Sequence, residues 1–421
     1  MSISNTALSG IDAANNQLSV ISNNIANSNT TGFKSSSVSF ADVYALNGSV
    51  GSQIGTGVSV GGIVQDFGTG GVNLTGKTLD MSIANNDFFV LQNPAGNQVY
   101  SRAGAFTADK NGNIVDNTGS QLQGYLYSGT GAAQTLNTVL APLTISTTAS
   151  APVATTTAAT QINLDSRSAI LPQAGFLPTN PATYSARSDL TVYDSLGNSH
   201  TVSSFYVKTA TNTWDMSVYL DQGTAAQIGP IAGDTAPANN FFTMSFNNTG
   251  ALTSVGLPVA GNTASLSFGA LGNGAANLTI AQDFTGSTQY GSTTTVNSNT
   301  QNGNTSGTIT GVNVDSSGVI SASFSNGTTN NLGKVALAKF TNPQGLLNLS
   351  NNEWAQTNAS GAPLIQAVNS NNAIQSGSLE NSNVDLPKNL VDLISAQRYF
   401  QANTQSIQVA NTVLDAIINI R

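Results

Sequence analysis

The stretch LPKNLVDLISAQRYFQANTQSIQVANTVLDAIINIR, residues 386–421, decides the fold. Leu393, Ala396, Phe400, Asn403, Ile407, Ala410, Leu414 and Ile417 alternate steps of three and four, and Leu386 carries the seven-residue series backwards. A 3.5-residue period marks a helix that packs along a partner helix. Pro387 suits the first turn, where its missing N–H costs nothing. At 1.5 Å per residue the segment makes a rod of about 50 Å. Near the other end Ala7, Ile11, Ala14, Leu18, Ile21 and Ile25 repeat the pattern, predicting a helix from Ser2 to Asn29 with Gly32 as its stop signal. The last part, Asn23 to Thr31, is too rich in Asn, Ser and Thr to stay helical by propensity alone.

An amphipathic stripe usually faces its own domain's core. Here both stripes lie at chain ends, beside breaker-rich segments, and their other faces carry Asn, Gln and Ser. They lack the Lys and Glu pairs that support a solitary helix, so most of their order must come from partners. The two seams are therefore expected to form an assembly interface, with Asn403 fixing register at a cost in stability.

Outward from the seams the chain changes character. Only 8% of the 421 residues are charged, against about 25% in an average soluble protein. Asn, Ser, Thr and Gly take their place, the composition of a turn-rich β protein with room for several domains. The net charge is −8 and no Lys or Arg occurs between Lys208 and Lys334. Clustered cations that would neutralise phosphates are missing, which argues against nucleic-acid binding. The absence of Cys excludes disulfides and thiolate chemistry. MSISNTALSG has neither a basic nor an apolar signal region, and no apolar run is long enough to span a membrane. Export without a cleaved signal and no membrane insertion are the expectations.

Between the seams the pattern is extended. Val58 and Val60 alternate before Gly61-Gly62, and Phe88 to Leu91 is a short apolar strand. Asn111-Gly112 is expected to turn a two-residue hairpin with both residues at positive φ. Leu190 to Tyr193, Thr201 to Val207 and Trp214 to Leu220 read as strands, the first two joined by Ser195-Leu196-Gly197-Asn198. Val312, Val314, Val319 and Ile320, then Val335, Leu337 and Phe340, supply further strands. The fold class is multidomain: α-helical, coiled-coil-like terminal segments around mainly β middle and outer domains.

Catalytic signals are few. His200 is the only histidine, so no multi-His metal site exists, and it is expected to be a solvated surface side chain. Asp109, Asn111, Asn113 and Asp116 imitate the opening of a calcium loop, but Ile114 and Ser120 stand where Gly and Glu are required. Those side chains are expected to solvate a turn. The few carboxylates give no candidate catalytic pair, so no enzyme activity, metal or cofactor is expected.

ALSGIDAANNQLSVISNNIANSNTTGFK (7–34) and SGSLENSNVDLPKNLVDLISAQRYFQANTQSIQVANTVLDAIINIR (376–421) resemble the paired N- and C-terminal signatures of the axial proteins of the bacterial flagellum, the rod, hook and hook-associated family. TLDMSIANNDFFVL (78–91), YDSLGNSHTVSSFYVK (193–208) and VALAKFTNPQGLLNLSNNEWAQT (335–357) are similar to the hook branch. The resemblance is weakest from about 221 to 299.

That resemblance implies a subunit of a short curved tube acting as a flexible universal joint between rod and filament. Its partners would be other copies of itself, rod proteins, a hook cap protein, hook–filament junction proteins and the flagellar type III export apparatus. Its place would be extracellular, at the flagellar basal body and hook. Residues 1–75 with 376–421 would form an inner helical domain, 76–146 with 300–375 a middle β domain, and 147–299 an outer inserted β domain. A distal rod subunit shares both termini but typically lacks the large insertion. An extracellular glycan-binding β protein is the alternative from another class, with Trp214, Tyr219 and Trp354 available to stack on sugars.

Overall fold

One short turn, used repeatedly, explains how so polar a chain forms sheets. Asp109, Asp116, Asp194, Asn247 and Asp315 each accept, through one side-chain oxygen, the backbone N–H groups two and four residues ahead at 2.8–2.9 Å. Three residues after each stands a glycine at φ between +71° and +85°, where a side chain would be strained. At Gly112 this replaces the expected two-residue turn. Asn111 does not share the positive φ, and the loop runs from Asp109 to Asn113 between strands Thr107–Ala108 and Ile114–Val115.

The computed structural model describes residues 2–44, 55–129, 134–146, 148–221, 241–256, 261–269, 271–369 and 373–419. The chain divides into two compact units, one of residues 1–147, 311–323 and 329–421, the other of residues 148–310 and 324–328.

In the first unit, helix α1 (Ser2–Ala26) is followed by a long antiparallel hairpin, β1 (Ser36–Tyr44) and β2 (Gly55–Gln65). Helix α2 (Leu386–Asn419) closes the chain. α1 stops three residues before the expected Asn29. Its N–H and C=O groups pass into turns from Asn27 onward, and Gly32 follows at φ +70°. A twelve-stranded sheet forms the β part, with Thr329–Lys339 and Gln121–Ser128 at its centre beside Phe88–Gln92 and Gln98–Ser101. One side of its core holds Met81, Phe89, Leu91, Leu122, Val335 and Leu337. The other is an aromatic cluster of Phe67, Phe88, Tyr100, Phe340 and Trp354, in edge-to-face pairs 4.8–5.8 Å apart.

The second unit packs two five-stranded sheets over one core. Ala186–Tyr193, Ser199–Ala210 and Thr213–Leu220 form an antiparallel meander, each spanning its expected strand and extending beyond it. In the other sheet Thr157–Asp165 runs parallel to Leu278–Asp283 and Thr288–Tyr290 on one edge and antiparallel to Thr295–Gln301 on the other. Ile162, Leu164, Tyr206, Trp214, Met216, Met244, Leu266 and Ile280 fill the space between.

Candidate assembly surface

The two terminal seams meet each other inside one chain. Ala7, Ala14 and Ile21 are buried, and Ile11, Leu18 and Ile25 half-buried, on the helix that packs along α2. On α2, Ala396 is fully buried while Leu393, Phe400, Asn403, Ile407 and Ala410 are half-buried. Leu386 is exposed. The side chains of Leu414 and Ile417 lie outside the described residues. Gly10 stands so close to Asn403 that a Cβ on it would lie 2.7 Å from the amide nitrogen. Fourteen residues further along α1 and fourteen back along α2, Asn24 donates to Asn389 Oδ1 at 3.2 Å, which makes the pair antiparallel. The apolar stripe alone does not reveal Gly10, Asn24 or Asn389, since small and polar residues carry no hydrophobic period. Asn403, expected to set register between molecules, meets Gly10 of its own chain.

Below the helix pair, buried polar groups tie the two chain ends to the sheet. The Asn24 amide accepts from Ser36 N at 2.9 Å and donates to Ser36 O at 2.8 Å. Asn383 accepts from Ser35 N at 2.7 Å and donates to Asp66 O at 2.8 Å. Glu380 lies between two cations: its Oε1 is 2.7 Å from Lys34 Nζ and its Oε2 2.8 Å from Arg102 Nη2, all three side chains being at most 2% exposed. Burial depresses the Lys34 pKa, with the Arg102 charge acting in the same direction and Glu380 opposing both. Gly32 donates to Glu380 O at 2.8 Å, and a Cβ there would fall 2.6 Å from Ala103 N, so only glycine lets these segments close. This latch joins residues 34, 102 and 380, a juxtaposition no local spacing encodes.

With its seam covered, α2 still shows large apolar side chains to solvent. Val391 (63% exposed), Ile394 (50%), Val409 (63%) and Val413 (52%) lie on the side of the helix turned away from the seam, about 100° per residue around the axis. Leu390 and Tyr399 are exposed beside them, as is Leu8 on α1. The hairpin adds Phe40, Val60, Ile63 and Val64. On the same side Arg398, Gln401 and Gln405 separate the pair Val391 and Ile394 from the pair Val409 and Val413, so α2 carries two exposed apolar clusters on a mixed face, and such clusters are candidate interaction sites.

Of the remaining candidates the Asp109 turn resolves as expected, and His200 and the two tryptophans do not. His200 is not solvated: its side chain is 12% exposed and held between Asp221 and Asp194. Trp214 and Trp354 are buried core residues whose indole nitrogens donate to Gln289 and Gln65, so neither offers a sugar platform. Tyr219 packs edge-on against Phe205. Asp109 spends its oxygens on its own turn, accepting from Asn111 and Asn113. The fold also gathers a carboxylate pair that sequence spacing hides: the Thr118 hydroxyl lies 2.7 Å from Asp116 and 3.2 Å from Glu353. Both acids are buried, and burial, reinforced by the Asp116 charge, raises the Glu353 pKa. Among the described residues no helix is long and apolar enough to cross a membrane.

Comparison with known proteins gives one consistent answer. Residues 5–34 match the flagella basal body rod protein family, 82–167 the flagellar hook protein FlgE/F/G D1 domain, 163–304 the flagellar basal body protein FlaE D2 domain and 375–420 the flagellar basal body rod FlgEFG protein C-terminal family. The flagellar hook protein FlgE of Salmonella typhimurium is 39% identical, over 99% of both chains. That of Escherichia coli K12 is 38% identical over the same share, and that of Treponema pallidum 30% identical over 99% of this chain and 98% of its own. A crystal structure of Helicobacter pylori flagellar hook protein FlgE2 superposes with a TM-score of 0.53 at 15% identity, covering 73% of this chain and all of that one.

Proposed function

The chain belongs to the flagellar hook protein FlgE family, structural subunits of the external hook of the flagellum that polymerise with copies of themselves, and from that premise we propose how it assembles. The α1–α2 pair is the building block of a tube wall. Its seam residues hold the two helices together, and the outward side of α2, with Leu386 and Leu390 at its start, packs on neighbouring copies. The tube so formed encloses an export channel and serves as a flexible universal joint carrying torque from rod to filament. The division into an inner domain (1–75 with 376–421), a middle domain (76–146 with 300–375) and an outer domain (147–299) belongs to the same proposal. So do export through the type III apparatus without signal cleavage, and contacts with rod, cap and hook–filament junction proteins. The role is mechanical, without a catalytic step.

The observation that carries this reading is the four exposed aliphatic side chains on the outward side of α2. Burying a valine or isoleucine contributes about 1.5–3 kcal/mol, so four such residues left in water favour a partner strongly. The polar β surfaces suit movement within the tube, because exchanging a protein hydrogen bond for a water one costs little.

Val391→Asp and Val409→Asp test it. Each is expected to raise the critical concentration for polymer growth at least tenfold, about 1.4 kcal/mol, while fluorescence of the buried Trp214 and Trp354 shows that the β units remain folded. Unchanged growth would remove the outward side of α2 from the interface.

A further inference from the structure

The single histidine of the chain is built into a three-group clamp in the second unit. His200 Nδ1 lies 2.6 Å from Asp221 Oδ2, and Nε2 lies 3.3 Å from Asp194 Oδ2. Both ring nitrogens therefore face carboxylate oxygens. A neutral imidazole has one N–H and one lone pair, so it satisfies only one of those oxygens and turns a lone pair on the other. Only the imidazolium donates to both.

The two carboxylates are themselves fixed. Asp194, fully buried, heads the turn to Asn198 and accepts from the Leu196 and Asn198 N–H groups and the Asn198 amide. It also accepts from Asn273 Nδ2 at 2.6 Å, and beside it Ser195 Oγ accepts from Ala276 N at 2.9 Å. Asp221, at φ +52° just past the strand Thr213–Leu220, accepts from Thr201 N at 2.8 Å. These two aspartates are the charged groups facing the ring among the described residues.

We propose that His200, Asp194 and Asp221 form a proton-operated latch, closed when the imidazole is charged, that fastens the Asp194–Asn198 turn to the strand end at Asp221 and to the segment carrying Asn273. Deprotonation leaves Asp194 facing a lone pair and loosens the latch on the side that holds Asn273 and Ala276. The effect on the ring is a balance. Burial lowers the His200 pKa, but hydrogen bonds and charge from Asp221 and Asp194 outweigh it and leave the pKa above its ordinary value of 6.5. A raised folded-state pKa stabilises below 6.5, and that contribution is lost as pH rises through the folded value. The second unit is thus tightened in mildly acidic media and relaxed in alkaline ones.

Because there is one histidine, its ring C2–H signal in NMR of the full chain reports the latch directly. Titrated from about pH 5 to about pH 9, it should show a midpoint above 6.5, moving down in Asp221→Asn. Hydrogen-exchange protection of peptides containing Leu196 and Ala276, corrected for intrinsic exchange, should fall through the same midpoint. The loss should approach about tenfold for each unit by which the midpoint exceeds 6.5. In His200→Gln the protection should not depend on pH in that range. A midpoint at or below 6.5 in the unaltered chain would overturn the latch without recourse to any variant. Protection that ignores the measured midpoint, or that keeps its pH dependence in His200→Gln, would overturn it equally.

Discussion

Glu380 is one of two glutamates in the chain, and it is where the two ends are pinned to the sheet. Placing one carboxylate between Lys34 and Arg102 away from water is costly, and the attraction offsets the cost only while both cations keep their partner. Glu380→Ala would leave two uncompensated buried cations and is expected to destabilise the first unit by about 3–5 kcal/mol in denaturant unfolding of the soluble chain. Screening by salt should not mimic the loss, because buried pairs are screened far less than exposed ones. Side-chain environments of this kind were the least legible part of the sequence. His200 reads as a solvated residue beside a turn because Asp221, its closest partner, lies 21 positions away, just past the end of another strand. Trp214 and Trp354 look available to a ligand until two sheets close over the first and an aromatic cluster of Phe67, Phe88 and Phe340 surrounds the second.

At the level of elements, the sequence speaks clearly wherever a period repeats. Both seams become helices, and the strands expected at Phe88–Leu91 and Thr201–Val207 are found with added residues at their ends. What the period conceals is the partner. A heptad says that a helix packs along another, and is silent on whether that helix belongs to the same chain. The answer lay in residues without hydrophobic period, Gly10 facing Asn403 and Asn24 facing Asn389. The Asn-Gly pair departs from a two-residue hairpin for a related reason: the Asp109 side chain, two residues before Asn111, selects a longer turn by capping its N–H groups. Gly10→Ala tests the helix contact. Alanine raises intrinsic helix propensity by about 1 kcal/mol, yet its methyl overlaps Asn403, and overpacking costs about 1–3 kcal/mol. The variant is expected to polymerise less well, and Asn403→Ala in the same chain to restore growth. Improved growth of Gly10→Ala alone would mean the helices do not approach so closely.

For the whole molecule, a structural subunit needs surfaces that are incomplete alone. The β cores of both units are filled by their own side chains, whereas the helical end of the first unit closes one seam and leaves four outward aliphatic side chains of α2 uncovered. That asymmetry separates the part proposed to hold the tube from the parts that bend with it. The most direct test is a helical reconstruction of the assembled polymer at side-chain resolution. The account predicts that α1 and α2 of each copy stay paired through Gly10 and Asn403, with Val391, Ile394, Val409 and Val413 buried against a neighbouring copy. Those four side chains facing open solvent, or α1 of one copy paired along its seam with α2 of another, would contradict it.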